Sequence, residues 1–167
     1  MKTNLAILSV SFYTSTCKKI KNHIKKRIPI LNKKDKKMQL SKFTDYAFRA
    51  LIYLGENKGK LCTVEELARE LQTSEHHMKK VVHKLSSLDF ILSSKGRGGG
   101  LKLGKEPKDI NLAEVLKCTE ENMNLYVCFQ QEYCPLLSGG CRLKNITQDA
   151  LASFLREYSS YTLEDLL

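Results

Sequence analysis

Two helix starts stand close together in residues 63–85, and they limit the possible folds more than any other feature. Thr63-Val-Glu-Glu66 has the form of a capping box, in which the threonine hydroxyl accepts the Glu66 amide and the carboxylate reaches back. Val64, Leu67, Ala68 and Leu71 then recur at helical spacing, and Gln72-Thr73 leaves room only for a tight turn. Ser74 caps a second helix, on which Met78, Val81, Val82 and Leu85 share one face. Two short helices joined this way must fold against each other, and a third element must cover their common apolar side. That element comes just before them. Phe43, Tyr46, Ala47, Ala50, Leu51 and Leu54 repeat as i, i+3, i+4, i+7, i+8 and i+11, with Gly55 and Gly59 bracketing the expected helix end.

After Leu88 the period changes. Phe90–Ser93 is strand-like and Leu101–Leu103 alternates, with SKGRGGG between them as a glycine-rich hairpin tip. Capped helix, turn, capped helix and hairpin in that order predict a winged helix–turn–helix, a mainly α fold with a small β-hairpin. Asn111-Leu-Ala-Glu114 predicts a further helix start, running to about Lys117. Leu143, Ile146, Ala150, Leu151, Phe154 and Tyr158 mark a long C-terminal amphipathic helix. Its apolar stripe is wide for a terminal helix and predicts packing on a second copy of the chain, a homodimer. The chain thus divides into a basic extension (1–37), a winged helix–turn–helix (38–108) and a cysteine loop with a dimerisation helix (109–167).

Charge points to a partner for the winged module. The net charge of +10 is concentrated at one end: residues 1–37 hold eleven of the 28 Lys+Arg and one of the 18 Asp+Glu, leaving a formally neutral body. The extension reads as a basic DNA-binding arm, as a targeting peptide, or as sequence upstream of a true start at Met38. Within the neutral body, residues 74–108 carry eight basic groups and three acidic ones. The face of the third helix opposite its apolar stripe shows His76, His77, Lys79, Lys80, His83 and Lys84. Lysines there would neutralise phosphates of double-stranded DNA, while residues at the helix N-terminus, Ser74 and His76 among them, reach base edges. At the hairpin tip Lys95, Arg97, Gly98 and Gly99 would meet the backbone or the minor groove. The competing reading is an ordinary solvated face.

Six cysteines occur, three of them clustered as Cys128-x₅-Cys134-x₆-Cys141. No convincing secretory signal precedes them and no apolar run approaches the ~18 residues of a membrane span, so a reducing cytoplasm is expected. There, clustered cysteines bind metal or do redox chemistry. Gaps of five and six are wider than the tight pairs of zinc sites and suit a larger object such as an iron–sulfur cluster. Buried free thiols or a thiol redox switch are the alternatives. Cys62 and Cys118 fall at or beside helical stripes as core positions, with Cys118 open as a fourth ligand. No nucleophile–base–orienter pattern involves the four histidines, which argues against an enzyme. A metal-binding module with no DNA role is the reading furthest from a regulator.

MQLSKFTDYAFRALIYL at 38–54, KGRGGGLKLGK at 95–105, CPLLSGGCRL at 134–143 and YTLEDLL at 161–167 resemble the nitric-oxide-sensing repressors of the NsrR type, which share a superfamily with IscR. The resemblance runs from Met38 to about Leu167 and omits residues 1–37. It implies a homodimeric repressor of nitrosative-stress genes that binds a palindromic operator and holds one iron–sulfur cluster (2Fe–2S or 4Fe–4S) per subunit. It further implies Cys128, Cys134 and Cys141 as ligands, with Asp45 supplied by the other subunit as the fourth. IscR-type proteins carry a histidine soon after the third cysteine, where this chain has Arg142-Leu143-Lys144. The six-residue second gap departs from the usual five of the family. Regulators of the same superfamily that read iron or cluster status, or thiol oxidation, are the alternative.

Overall fold

The computed structural model describes residues 39–96, 98–126, 128 and 141–167. The extension at 1–37, Arg97 and Cys134 lie outside the described residues. Leu40–Leu167 forms one unit. Its elements are α1 (Lys42–Glu56), α2 (Val64–Glu70), α3 (Glu75–Ser86), β1 (Ile91–Ser94), β2 (Gly100–Leu103), a 3-10 turn at Pro107–Asp109, α4 (Leu112–Thr119), α5 (Arg142–Ser159) and a last 3-10 turn at Leu163–Leu166.

The apolar stripe of α1 becomes the spine of the core. Ala47, Ala50, Leu51 and Leu54 are buried, and they pack with Leu67 of α2 and with Met78, Val81 and Leu85 of α3. Each fully buried leucine contributes about 1.5–3 kcal/mol relative to an exposed one. Gly55 is the last residue but one of α1, whose end falls between Gly55 and Gly59 as expected. It lies buried inside the helix, and a Cβ there would meet the Leu167 side chain at 2.7 Å. Packing of the chain's last residue is what a small residue serves at this point. The helix stops one residue later, where the Asn57 amide side chain donates to Tyr53 O at 2.8 Å.

The caps form as expected. Thr63 Oγ1 accepts from Glu66 N at 3.1 Å, and Ser74 Oγ accepts from His77 N at 3.2 Å. The Glu66 carboxylate has a wider role than a capping box gives it, since it also takes the Lys60 ammonium and the Tyr53 hydroxyl. The bond from Lys60 holds Glu66 below the usual carboxylate range. The turn between α2 and α3 closes through Gln72, in the left-handed region at φ 52°, and a bond from Thr73 N to Ala68 O of 2.9 Å.

β1 and β2 pair antiparallel with Ile91 opposite Leu103 and Leu92 opposite Lys102, so Ile91 and Leu101 face the core. Cys62 bonds both ways with Leu101 (3.1 and 2.7 Å), adding a third extended segment beside β2. α4 extends past its expected end to Thr119, whose hydroxyl donates to Val115 O. The C-terminal residues return to the same core: Leu163 is fully buried and its amide donates to Ile110 O at 2.8 Å. Segments 38–108 and 109–167 therefore share one hydrophobic interior.

Candidate DNA-binding face and cysteine ligand set

Burial of Met78, Val81, Val82 and Leu85 turns the opposite side of α3 outward. His76, Lys79, Lys80, His83 and Lys84 are exposed there, as is Ser74 at the N-cap. They are not equivalent. The Ser74 hydroxyl is engaged in the cap, and Lys79 pairs with Glu75 at 3.3 Å. Lys80 and Lys84 have no carboxylate partner among the described residues. His77 departs from the sequence expectation: it is half-buried in the seam between α1 and α3. Its ring meets Tyr46 edge-on at 5.3 Å and Phe43 at 6.3 Å, and its buried Nε2 has no hydrogen-bond partner among the described residues. Rings on α1 cover it, which the spacing within α3 could not reveal.

At the hairpin tip Lys95 and Gly98 are exposed and Gly99 is half-buried. Gly98 has φ +84°, and a Cβ on Gly99 would lie 2.3 Å from Ser94 O. The tip is therefore a turn that only glycine closes, with its backbone open to a partner.

Asp45 sits in the first turn of α1, exposed, with its carboxylate 3.1 Å from Arg49 Nε one turn on. The same helix end carries a contact that the sequence did not disclose. Glu120 Oε2 accepts from Ser41 N at 2.9 Å and from the buried Thr44 hydroxyl at 2.8 Å. Glu120 follows α4 and opens the segment that leads to Cys128. No spacing signal could have found this pair, because the partners are 79 and 76 residues apart. Glu120→Ala removes the acceptor for both donors and is expected to cost about 1–3 kcal/mol, read as a lower denaturant midpoint. Glu120→Gln keeps an acceptor oxygen and should lose less. Equal losses from the two variants would show that the contact contributes no more than packing.

Of the clustered cysteines, Cys128 is exposed and Cys141 half-buried, both as free thiols, and Cys134 lies outside the described residues. Cys141 is the N-cap of the 18-residue α5, and its side chain makes no cap hydrogen bond. A soft donor thus stands at a helix N-terminus, where the unpaired amides favour negative charge. The donor chemistry fits an iron–sulfur cluster, which is thiolate-bound and anionic. Cys62 is fully buried in the core, and burial pushes its thiol up. Cys118 is half-buried on α4. No group of three or more His, Cys, Asp or Glu side chains poised for a metal ion occurs among the described residues. None of the described helices is long and apolar enough to cross a membrane.

The stripe of α5 is open. Leu143, Ile146 and Phe154 are exposed, Leu151 is half-buried, and the Phe154 and Tyr158 rings pack at a tilt with centroids 4.8 Å apart.

Residues 40–167 match the family model Rrf2, described as iron-dependent transcriptional regulators. The HTH-type transcriptional regulator NsrR of Shouchella clausii is 44% identical over 133 residues, covering 78% of this chain and 89% of that protein. NsrR of Bacillus subtilis is 38% identical over 133 residues, covering 78% and 90%. Among solved structures, T. potens IscR superposes with a TM-score of 0.63 at 19% identity, over 77% of this chain and 85% of that one. CymR, the global cysteine regulator of B. subtilis, gives 0.60 at 23% identity, over 78% and 96%. These two support the winged-helix architecture, and the sequence relatives are named as regulators rather than enzymes. The chain belongs to the Rrf2 family of transcriptional regulators.

Proposed function

We propose that this regulator is a homodimeric repressor whose hold on a palindromic operator is switched by nitric oxide. Cys128, Cys134 and Cys141 would hold an iron–sulfur cluster, with Asp45 of the facing subunit as a fourth donor. Such a cluster, when bound, supplies iron that nitric oxide attacks. The observation that carries the reading is where the thiol loop is anchored. At its start Glu120 grips the first turn of α1, the turn that bears Asp45. At its end Cys141 occupies the N-cap position of α5, the helix with the open apolar stripe. A change in the loop thus pulls on the DNA-binding half and on the face that sets the spacing of two recognition helices. Half-site spacing on DNA is fixed by the helical repeat, so a small change in that spacing weakens binding. Asp45 is the hard donor of the set and the natural weak point, and Arg49 competes for it.

The test is anaerobically loaded protein on operator DNA. Loaded protein should bind more tightly than cluster-free protein, and nitric oxide should abolish the difference. Equal binding in the two states would sink the switch.

On the DNA side, Lys80→Ala with Lys84→Ala removes two unpaired cations from α3. The slope of log affinity against log salt should fall by about 0.9 per lost phosphate contact, measured by fluorescence anisotropy. Lys79→Ala should change it less, because Lys79 already has Glu75 as a partner. An unchanged slope for the double variant would place α3 away from the DNA.

A further inference from the structure

The wing has a second surface, to which no residue of α3 contributes. A cleft of about 450 Å³ opens between the C-terminal end of α1 and the root of the hairpin. Leu54, Leu92, Leu103 and Pro107 give it apolar walls. Its rim carries Lys58, Lys60, Lys102 and Lys105 against one acid, Glu106, among the described residues. Residues 38–167 balance 17 basic against 17 acidic side chains, so this is a local concentration of positive charge. Low-dielectric walls focus such a field on the space between them.

The lysines are arranged for an incoming anion. Lys60 is bound to Glu66. The Lys105 ammonium sits 4.8 Å above the Phe90 ring, which fixes its position. Lys102 stands opposite the exposed Leu92 on the outer face of the hairpin and has no ion pair among the described residues. Lys58 holds the Glu106 carboxylate at 2.7 Å. That carboxylate shows that the rim takes an anionic group, and it is the group a ligand would displace.

We propose that the wing-root cleft binds a small organic anion, with a phosphate or carboxylate head on Lys58 and Lys102 and an apolar body against Leu92 and Leu103. The same phosphate chemistry could be offered by a free ligand or by a DNA phosphodiester, and the experiment separates them. Phenyl phosphate is titrated into the full-length protein at constant ionic strength, with binding read by saturation-transfer NMR. Benzyl alcohol serves as the uncharged control. Saturable binding of phenyl phosphate is expected, with far weaker transfer to benzyl alcohol.

Glu106→Gln should tighten it by about two- to fivefold, the worth of one exposed ion pair, and Lys102→Ala should weaken it similarly. Both positions are exposed, so both variants should keep the wild-type circular dichroism. If operator DNA displaces phenyl phosphate, the head is the DNA's own phosphodiester. If phenyl phosphate binds equally well with DNA present, the ligand is a free anion. Absence of saturation, equal response to benzyl alcohol, or a Glu106→Gln variant with unchanged affinity would overturn the proposal.

Discussion

Cys134→Ala, purified without oxygen, should lack the brown chromophore of the parent and bind operator DNA at least about tenfold more weakly than the loaded parent. If the three thiols hold one cluster, none is spare, and removing one strips the site rather than loosening it. Cys128→Ala and Cys141→Ala should behave alike on the same ground. Cys118→Ala is the informative control. It lies half-buried on α4, and its loss should leave colour and binding unchanged. A colourless Cys118→Ala protein would instead make it the fourth ligand and displace Asp45.

Asp45→Ala should retain colour with an altered spectrum or a blunted response to nitric oxide. Arg49→Ala frees the carboxylate that Arg49 holds at 3.1 Å and should shift the same spectrum in the opposite sense. Outer-shell partners of this kind commonly change metal affinity by about 10–100-fold. If all three cysteine variants keep the parent chromophore, the thiols hold no cluster.

What the sequence disclosed and what it concealed divide along chain distance. Thr63, Ser74 and the stripe Met78–Leu85 are local matters of capping and of 3.6-residue period, and the structure places them as read. The hairpin and its glycine tip follow from alternation and from the φ that residue 98 needs, while the register, with Ser94 and Gly100 drawn into the strands, comes from the structure. His77 was legible as helical but not as half-buried, because the rings that cover it belong to α1. Gly55 helped mark the end of α1 as read, but its close packing against Leu167 was not legible, because that residue lies at the far end of the chain. The hold of Glu120 on Ser41 and Thr44 joins two segments that no periodicity connects. The Asp45–Arg49 pair is different: its i,i+4 spacing stands in the sequence, but the pairing itself comes from the structure. Of the proposed ligand set, the residue types and spacing were legible, and what the structure adds is the anchoring of the loop's two ends.

The largest change in assembly should come from Ile146→Glu. Ile146 is 57% exposed, with Leu143 at 48% and Phe154 at 37% on the same helix, so a single chain leaves this stripe in water. A carboxylate at 146 costs an isolated chain almost nothing, since the position is already solvated. Placed in an interface without a partner, it costs about 3–5 kcal/mol, or a dimer dissociation constant raised by about 10²–10⁴-fold. Sedimentation velocity at micromolar concentration should therefore turn from dimer to monomer, with unchanged circular dichroism. Operator binding should weaken with it, because a monomer engages one half-site and loses the gain of a linked second one.

Thr147→Val is the matched control: Thr147 is buried within its own chain, its hydroxyl donating to Leu143 O at 2.8 Å, and its replacement should leave the dimer intact. The chromophore then separates two readings of the fourth ligand. If Asp45 reaches across the interface, monomeric Ile146→Glu protein should show the spectrum of Asp45→Ala. If the monomer keeps the parent spectrum, the fourth donor lies within one chain. An Ile146→Glu protein that sediments as the parent does would take α5 out of the interface altogether.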